Sequence, residues 1–223
     1  LMQPQNLKDP DFLQELRSYE ADLQIVVAFR MLPEAVWAMP RLGTFNLHAS
    51  LLPKYRGAAP IQRAIWNGET ESGVTTFLLD KDMDTGAILY QEKIILDSEE
   101  TAGTLHDRLL AIGAPLVVKT AKALFDGSVQ AIPQPIMNGP IPDAPKIFKK
   151  DCILDFSQPA YLLHRQVKAL SPYPAAITYL HNARTGETIP VKVLESRIST
   201  DFPKSYEQGS LISDGKHFFG MAC

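Results

Sequence analysis

The chain carries the segment Asn46-Leu47-His48-Ala49-Ser50-Leu51-Leu52-Pro53, in which an amide and an imidazole lie two residues apart. Residues 43–48 are predicted to form a short strand, and alternate side chains of a strand leave the same face. Asn46 and His48 are therefore expected to point into one space. The sequence of residues 50–53 then predicts a turn that leads the chain away from the strand.

A carboxylate lies further along the chain, in Asp84-Thr85-Gly86, on a loop between two strand-like runs. An amide, an imidazole and a carboxylate that converge on one pocket can polarise a carbonyl, donate a proton and remove one. Each residue also has an ordinary interpretation: Asn46 and Asp84 as turn residues, and His48 as a hydrogen-bonded core histidine. The spacing of Asn46 and His48 before a turn favours the functional interpretation.

The composition is that of an ordinary globular protein. The 223 residues can bury a core and predict one large or two small domains. No apolar run is long enough to span a membrane, and the N-terminus lacks the basic and apolar regions of a signal peptide. Cys152 and Cys223 lie far apart, which argues against a disulfide framework and favours a reducing, cytoplasmic compartment.

The charge is unevenly distributed. The net charge of −3 by itself argues against a nucleic-acid binder. Residues 1–145 hold 12 Lys and Arg against 18 Asp and Glu, whereas residues 146–223 hold 10 against 7. Compositional noise can produce such a difference, but any polyanionic partner is expected to contact the second, basic segment.

Helical and strand-like periods alternate along the first 125 residues. Helices are predicted at residues 11–19, 60–66 and 104–125, and strands at residues 23–29, 43–48, 74–79 and 87–96. The first of these strands is a nearly continuous apolar run, typical of a buried parallel strand. The alternation predicts an α/β domain with a largely parallel sheet.

The composition changes around residues 131–145, where five prolines predict an extended linker. Beyond it, residues 155–170 are predicted to form a helix with Ser157 as its N-cap and Pro159 in the first turn. Short strand-like runs and turns follow, typical of a small β-barrel or meander. The predicted organisation is an α/β domain over residues 1–130, a linker over 131–150 and a β domain over 151–223.

The sequence resembles the methionyl-tRNA formyltransferases, a family of folate-dependent enzymes, over nearly its whole length. The resemblance rests on residues 45–62, which include Tyr55-Arg56-Gly57-Ala58-Ala59-Pro60-Ile61-Gln62, and on residues 73–75, 82–86 and 170–175. It implies a Rossmann-like formyltransferase domain followed by a small OB-like β-barrel. It also implies that the first domain is incomplete at its N-terminus and the second at its C-terminus.

The resemblance implies a reaction in which a formyl group passes from 10-formyltetrahydrofolate to the α-amine of initiator methionyl-tRNA. Asn46 and His48 are then expected to donate hydrogen bonds to the formyl oxygen as it gains charge. Asp84 is expected to orient His48 and to take the proton that leaves the amine, directly or through a water. This chemistry needs no metal and no covalent intermediate.

The resemblance also identifies residues expected to contact the folate. One group follows the predicted first strand, at the carboxyl end where ligands of open α/β sheets bind. A second group forms the turn after His48, which can equally serve as a rigid loop that holds Asn46 and His48. The two groups are Phe29, Arg30, Met31 and Leu32, and Ser50, Leu51, Leu52 and Pro53.

The tRNA is expected to use the basic second segment, where Lys146, Lys149 and Lys150 cluster at the end of the linker. The protein is expected to be a monomer with no membrane partner. An alternative function is a related enzyme that formylates glycinamide ribonucleotide or an amino sugar nucleotide. A non-catalytic folate- or RNA-binding module is a further alternative, disfavoured because Asn46, His48 and Asp84 are all present.

Overall fold

The computed structural model describes residues 1–27, 31–182, 184–200 and 206–223. The helices in these residues are α1 (Pro10–Ser18), α2 (Glu34–Trp37), α3 (Pro60–Asn67), α4 (Ala102–Phe125) and α5 (Ala160–Leu170). The strands are β1 (Gln24–Val27), β2 (Thr44–His48), β3 (Arg56–Gly57), β4 (Glu71–Leu78), β5 (Ile88–Ile95), β6 (Asp143–Ala144), β7 (Ala176–His181), β8 (Thr188–Val193), β9 (Leu211–Ser213) and β10 (Phe219–Met221).

A four-stranded sheet with the order β1-β2-β4-β5 carries the predicted site. β1 and β2 are parallel, whereas the pairs β2–β4 and β4–β5 are antiparallel. The prediction of a largely parallel sheet is therefore corrected, within the described residues, to a mixed sheet. Residues 79–87 connect β4 to β5, and this connection is too short for the crossover that parallel pairing needs.

β1 is more exposed than its apolar sequence predicts. Ile25 and Val27 are 47% and 56% exposed, so the prediction of a buried strand is wrong for these side chains. Among the described residues β1 pairs only with β2 and forms an edge of the sheet. An apolar run indicates a strand, but its position in the sheet decides how much of it is covered.

The sequences of α1 and α3 explain where α1 begins and where α3 ends. Asp9 caps α1 by accepting hydrogen bonds from the backbone N–H groups of Asp11 and Phe12, at 3.0 and 3.1 Å. α3 ends before Gly68, whose φ of +70° lies in the left-handed region that favours glycine at helix ends.

The first of two compact units comprises residues 1–60, 71–95 and 107–145. Phe45 and Phe77 are fully buried in its core. α4 lies against the sheet face that carries Leu47, because a Cβ added to Gly113 would lie 2.9 Å from Leu47 Cδ2. Strand alternation places Asn46 and His48 on the opposite face, away from this helix.

The second compact unit comprises residues 61–70, 96–106 and 146–223. The buried core of the unit consists of Cys152, Leu154, Leu163, Val167, Leu170 and Ala176. Burial in this core raises the pKa of the Cys152 thiol, with a further contribution from the charge of Asp151.

The start of α5 differs from the prediction. The helix begins at Ala160 after Pro159, and no side chain caps it, so Ser157 is not the N-cap. Ser157 instead donates from its hydroxyl and its backbone N–H to Asp155 Oδ1, at 2.7 and 3.1 Å. These two bonds lower the pKa of Asp155 and form a local turn that competes with helix.

The C-terminal strands form two antiparallel pairs, β7–β8 and β9–β10. Among the described residues these pairs are separate two-stranded sheets and do not close into the expected barrel. None of the described helices combines the length and the apolar character that crossing a membrane requires.

Two leucines on α4 test the packing of the first unit. Leu116 is 2% exposed and Leu110 is 61% exposed. We expect Leu116→Ala to lower the free energy of unfolding by about 2–5 kcal/mol, because it leaves a cavity in the core. The matched change Leu110→Ala is expected to alter it by less than about 0.5 kcal/mol. Equal losses in denaturant titrations of the two variants would contradict the position of α4.

Candidate active site

β2 positions the first two predicted site residues. Its neighbours fix the register: Asn46 lies opposite Val26 on β1 and Phe77 on β4, and His48 lies opposite Thr75 on β4. Directly paired residues of neighbouring strands share a face. Asn46, His48, Phe77 and Thr75 therefore lie on one face of the sheet.

His48 is buried, and both of its ring nitrogens have neighbours. Nε2 lies 2.8 Å from the backbone oxygen of Tyr55. Because a carbonyl oxygen only accepts hydrogen bonds, Nε2 carries the hydrogen. The other nitrogen, Nδ1, lies 3.8 Å from Asp84 Oδ2. The ring of Phe77 meets the imidazole edge-on, with 6.4 Å between the centroids.

Asp84 lies on the loop between β4 and β5, as predicted, and is brought to His48. Its backbone has a φ of +54°, a left-handed conformation that Asp tolerates better than most residues. Oδ2 accepts a hydrogen bond from the backbone N–H of Gly57 at 2.9 Å. One carboxylate oxygen therefore both accepts from Gly57 and faces the imidazole of His48. At 3.8 Å the two side chains are in ion-pair range but not hydrogen-bonded.

The carboxamide of Asn46 has an unused buried acceptor. No described residue donates a hydrogen bond to its Oδ1, which is inaccessible to solvent. A buried acceptor without a donor costs about 1–3 kcal/mol, and native proteins seldom retain one without a function.

The predicted folate turn is rigidly held. Ser50, Leu52 and Pro53 are buried and Leu51 is half-buried. The hydroxyl of Thr75 donates to the backbone oxygen of Ser50 at 2.6 Å and accepts from the backbone N–H of Leu52 at 3.2 Å. The side-chain amide of Gln91 donates to the backbone oxygen of Leu52 at 2.9 Å. These bonds make the turn a fixed support for β2, and its contacts with folate stay a prediction.

The second predicted folate segment is described only in part. Phe29 and Arg30 lie outside the described residues. Met31 is 67% exposed and Leu32 is half-buried, directly after β1. The segment therefore offers at least one accessible apolar side chain.

The predicted tRNA-contacting lysines are all exposed in the second unit. Lys149 and Lys150 begin a short 3₁₀ helix, Lys149–Cys152. Nζ of Lys146 lies 5.7 Å from the centroid of the exposed Phe148 ring. This cluster combines three positive charges with one aromatic surface.

Sequence reasoning missed the residues that hold the site from behind. Tyr55 and Gly57 contribute only through their backbone C=O and N–H groups, so their residue types do not indicate this role. Thr75 and Gln91 face each other across β4 and β5, and Gln91 also donates to the Thr75 hydroxyl at 2.9 Å. The adjacent Thr75 and Thr76 in β4, both fully buried, were the available sequence signal, because polar side chains in a buried strand need internal partners. Within the described residues, no group of three or more His, Cys, Asp and Glu side chains is placed to hold a metal ion.

Comparison with known proteins identifies the family. A family model described as formyl transferase matches residues 1–120, and one described as formyl transferase, C-terminal domain, matches residues 146–223. The chain belongs to the formyl transferase family. Its first unit therefore carries residues of the formyl transferase domain proper, and its last 78 residues match the domain that follows.

Formyl transferases of two bacteria are close relatives. The methionyl-tRNA formyltransferase of Bacteroides fragilis is 50% identical over 100% of this chain and 68% of its own length. That of Azobacteroides pseudotrichonymphae is 49% identical over 99% of this chain and 69% of its own. The crystal structure of HypX from Aquifex aeolicus in complex with tetrahydrofolic acid matches with a TM-score of 0.64 at 22% identity, over 77% of this chain and 30% of HypX. At that identity the likeness shows the fold.

Thr75 provides a test of the support for the turn. Thr75→Val keeps the shape of the side chain but leaves the Leu52 N–H and the Ser50 oxygen without this partner. We expect the free energy of unfolding to fall by about 2–4 kcal/mol and hydrogen exchange at the Leu52 amide to accelerate. The exposed Thr200→Val is the matched control, with an expected change under about 0.5 kcal/mol. Unchanged exchange at Leu52 would contradict the bonding described.

Proposed function

We propose that the protein transfers a formyl group from 10-formyltetrahydrofolate to the α-amino group of initiator methionyl-tRNA. The observation that carries the proposal is the convergence of Asp84 on His48, beside Asn46. The whole of this chain is 50% identical to a methionyl-tRNA formyltransferase, of which it covers 68%. An amide, an imidazole and a carboxylate at one place match the needs of acyl transfer to an amine.

The reaction begins when the amine nitrogen attacks the formyl carbon and forms a tetrahedral intermediate. Charge develops on the former carbonyl oxygen, and the Nδ2 amide of Asn46 donates to it. The Oδ1 of the same side chain is buried away from solvent and is not placed to contact the incoming amine.

Asp84 and His48 move the protons. The carboxylate of Asp84 takes a proton from the attacking nitrogen, directly or through a water. The 3.8 Å distance between Asp84 Oδ2 and His48 Nδ1 has to shorten, or be bridged by a water, before that proton can pass to the ring. The intermediate collapses when the bond from carbon to folate N10 breaks and N10 gains a proton. The proton lost by the amine balances the one gained by N10, so the transfer needs no external acid or base.

The folate is proposed to lie between the segment of residues 29–32 and the turn of residues 50–53. Its formyl group then meets the polar face of β2. The turn is held by Thr75 and Gln91, so it can present backbone groups to the folate without first being ordered.

The direct test is formyl transfer by the full-length protein. Purified protein is incubated with 10-formyltetrahydrofolate and, separately, with methionyl-tRNA, glycinamide ribonucleotide and an amino sugar nucleotide. We expect formylmethionyl-tRNA to be the major product. Formylation of a small amine alone would replace the proposed acceptor, and no transfer to any of them would overturn the enzymatic function.

Asp84→Asn tests the role of the carboxylate. The change keeps the shape and the acceptor for the Gly57 N–H but removes the base. We expect kcat to fall by about 10²–10⁴-fold, with folate affinity largely retained. Asp82→Asn, an exposed residue of the same loop, is the matched control and should retain wild-type kcat. Equal losses in the two variants would show that loop stability, and not the Asp84 charge, is responsible.

The acceptor tRNA is proposed to contact Lys146, Lys149 and Lys150. The three lysines are exposed, adjacent and part of the chain segment with excess positive charge. Phe148 adds an exposed ring among them, and an aromatic face can stack on an unpaired base. Phosphate contacts of this kind position the tRNA and carry no sequence information.

Replacing Lys146, Lys149 and Lys150 together with Ala tests this surface. We expect the KM for methionyl-tRNA to rise and the slope of log KM against log salt to decrease by roughly 2–3, about one per lost phosphate contact. Folate affinity should not change, because these lysines are not part of the site on β2. A matched triple change at the exposed Lys8, Lys81 and Lys122 serves as the control. An unchanged salt slope would exclude these lysines as tRNA contacts.

A further inference from the structure

The proline-rich residues 131–145 are folded as part of the first unit and are not merely a spacer. Near one end Ile132 pairs with Ile88, whose backbone N–H donates to the Ile132 oxygen at 2.8 Å. At the other end β6 pairs with β3. Gln134 lies near the first of these contacts, between Pro133 and Pro135, whose rings restrict its backbone.

The carboxamide of Gln134 makes four hydrogen bonds. Nε2 donates to the backbone oxygens of Asp84 and Gly86, at 2.8 and 3.0 Å. Oε1 accepts from Nε and Nη2 of Arg56, at 3.2 and 2.6 Å. The orientation of the amide follows from chemistry, because carbonyl oxygens only accept and a guanidinium only donates. Gln134 is thus fully used, by partners on two different segments.

These bonds complete a closed ring of contacts around Asp84. Gln134 binds the side chain of Arg56, the next residue Gly57 binds the carboxylate of Asp84, and Gln134 binds the Asp84 backbone. Asp84 needs such restraint because its φ of +54° is unfavourable for a residue with a side chain. A strained backbone persists only where surrounding contacts over-determine it.

We propose that Gln134 is a positioning residue for formyl transfer, which sets the Asp84 carboxylate against His48 by holding the backbone carbonyl groups of Asp84 and Gly86. This inference rests on the function proposed above. Gln134 contacts neither reactant and acts through Asp84. Its side-chain amide fixes where the loop lies, by donating to the backbone oxygens of Asp84 and Gly86, while the backbone N–H of Gly57 fixes where the carboxylate points.

Gln134→Glu separates the two halves of the amide. Glu has the same length and keeps the acceptors for Arg56, but it loses both donors to the Asp84 and Gly86 oxygens. In the full-length protein we expect kcat to fall by about 10–100-fold, the order of loss that a displaced catalytic group causes. The KM for methionyl-tRNA and the dissociation constant for folate should stay within about threefold of wild type, because no binding contact is removed.

A double-mutant cycle with Asp84→Asn distinguishes positioning from general support. If Gln134 acts through the Asp84 carboxylate, Gln134→Glu should cost little further kcat once that carboxylate is gone. A purely structural role would cost the same in both backgrounds. Gln134→Met, which lacks the new charge, repeats the cycle if the Glu variant fails to fold, and the exposed Gln130→Glu is the matched control for an added carboxylate near this segment.

The outcomes are distinct. Loss of kcat in the single variant and little further loss beside Asp84→Asn supports the inference. The inference is overturned, and the proposed function left intact, by either of two results. One is wild-type kcat in both Gln134→Glu and Gln134→Met. The other is an equal loss of kcat in the wild-type and Asp84→Asn backgrounds. Absence of methionyl-tRNA formylation in the wild type overturns the function and this inference together.

Discussion

One hydrogen bond organises the candidate site: the backbone N–H of Gly57 donates to Asp84 Oδ2, across 27 residues of sequence. The same oxygen is the one that faces His48 Nδ1. Only glycine fits at position 57. Its φ of +120° is unfavourable for other residues, and a Cβ there would lie 2.6 Å from the Ala144 oxygen. The position of the carboxylate therefore depends on the pairing of β3 with β6, which lies outside both motifs that carry the site.

The site costs stability that the rest of the first unit has to offset. The left-handed Asp84 costs about 1–3 kcal/mol, and the unused acceptor of Asn46 a similar amount. Phe45 on β2 and Phe77 on β4 are fully buried. Burying side chains of this size contributes about 1.5–3 kcal/mol each to stability. Apolar residues thus alternate with the polar ones along β2 and hold them in place. A rigid, locally unfavourable arrangement of this kind is what preorganised catalysis requires.

The sequence was sufficient wherever the signal is local. The two-residue period of a strand placed Asn46 and His48 on one face, and the strand–loop–strand pattern placed Asp84 on a loop. Non-local pairing was not predictable in the same way: the antiparallel direction of β4, the exposure of Ile25 at a sheet edge, and the reach of residues 131–145 back to the site all depend on contacts between distant segments. Backbone donors such as Gly57 leave no side-chain signal at all. Local signals can also mislead. Ser157 is of a residue type that favours helix N-caps, but its hydroxyl instead bonds to Asp155 in a local turn.

The Tyr55 carbonyl restricts what His48 can do in the proposed reaction. Because Nε2–H is engaged with that oxygen, the neutral and protonated forms of the ring differ only at Nδ1. Neutral His48 can then only accept at Nδ1, so it donates to the formyl oxygen or to N10 only after it has gained a proton. The atom that faces Nδ1 is Asp84 Oδ2, which is also the proposed acceptor of the proton from the amine. The proton taken from the attacking nitrogen and the proton delivered to the leaving nitrogen can therefore share one route, from Asp84 to His48, once the 3.8 Å between the two side chains shortens or is bridged by a water.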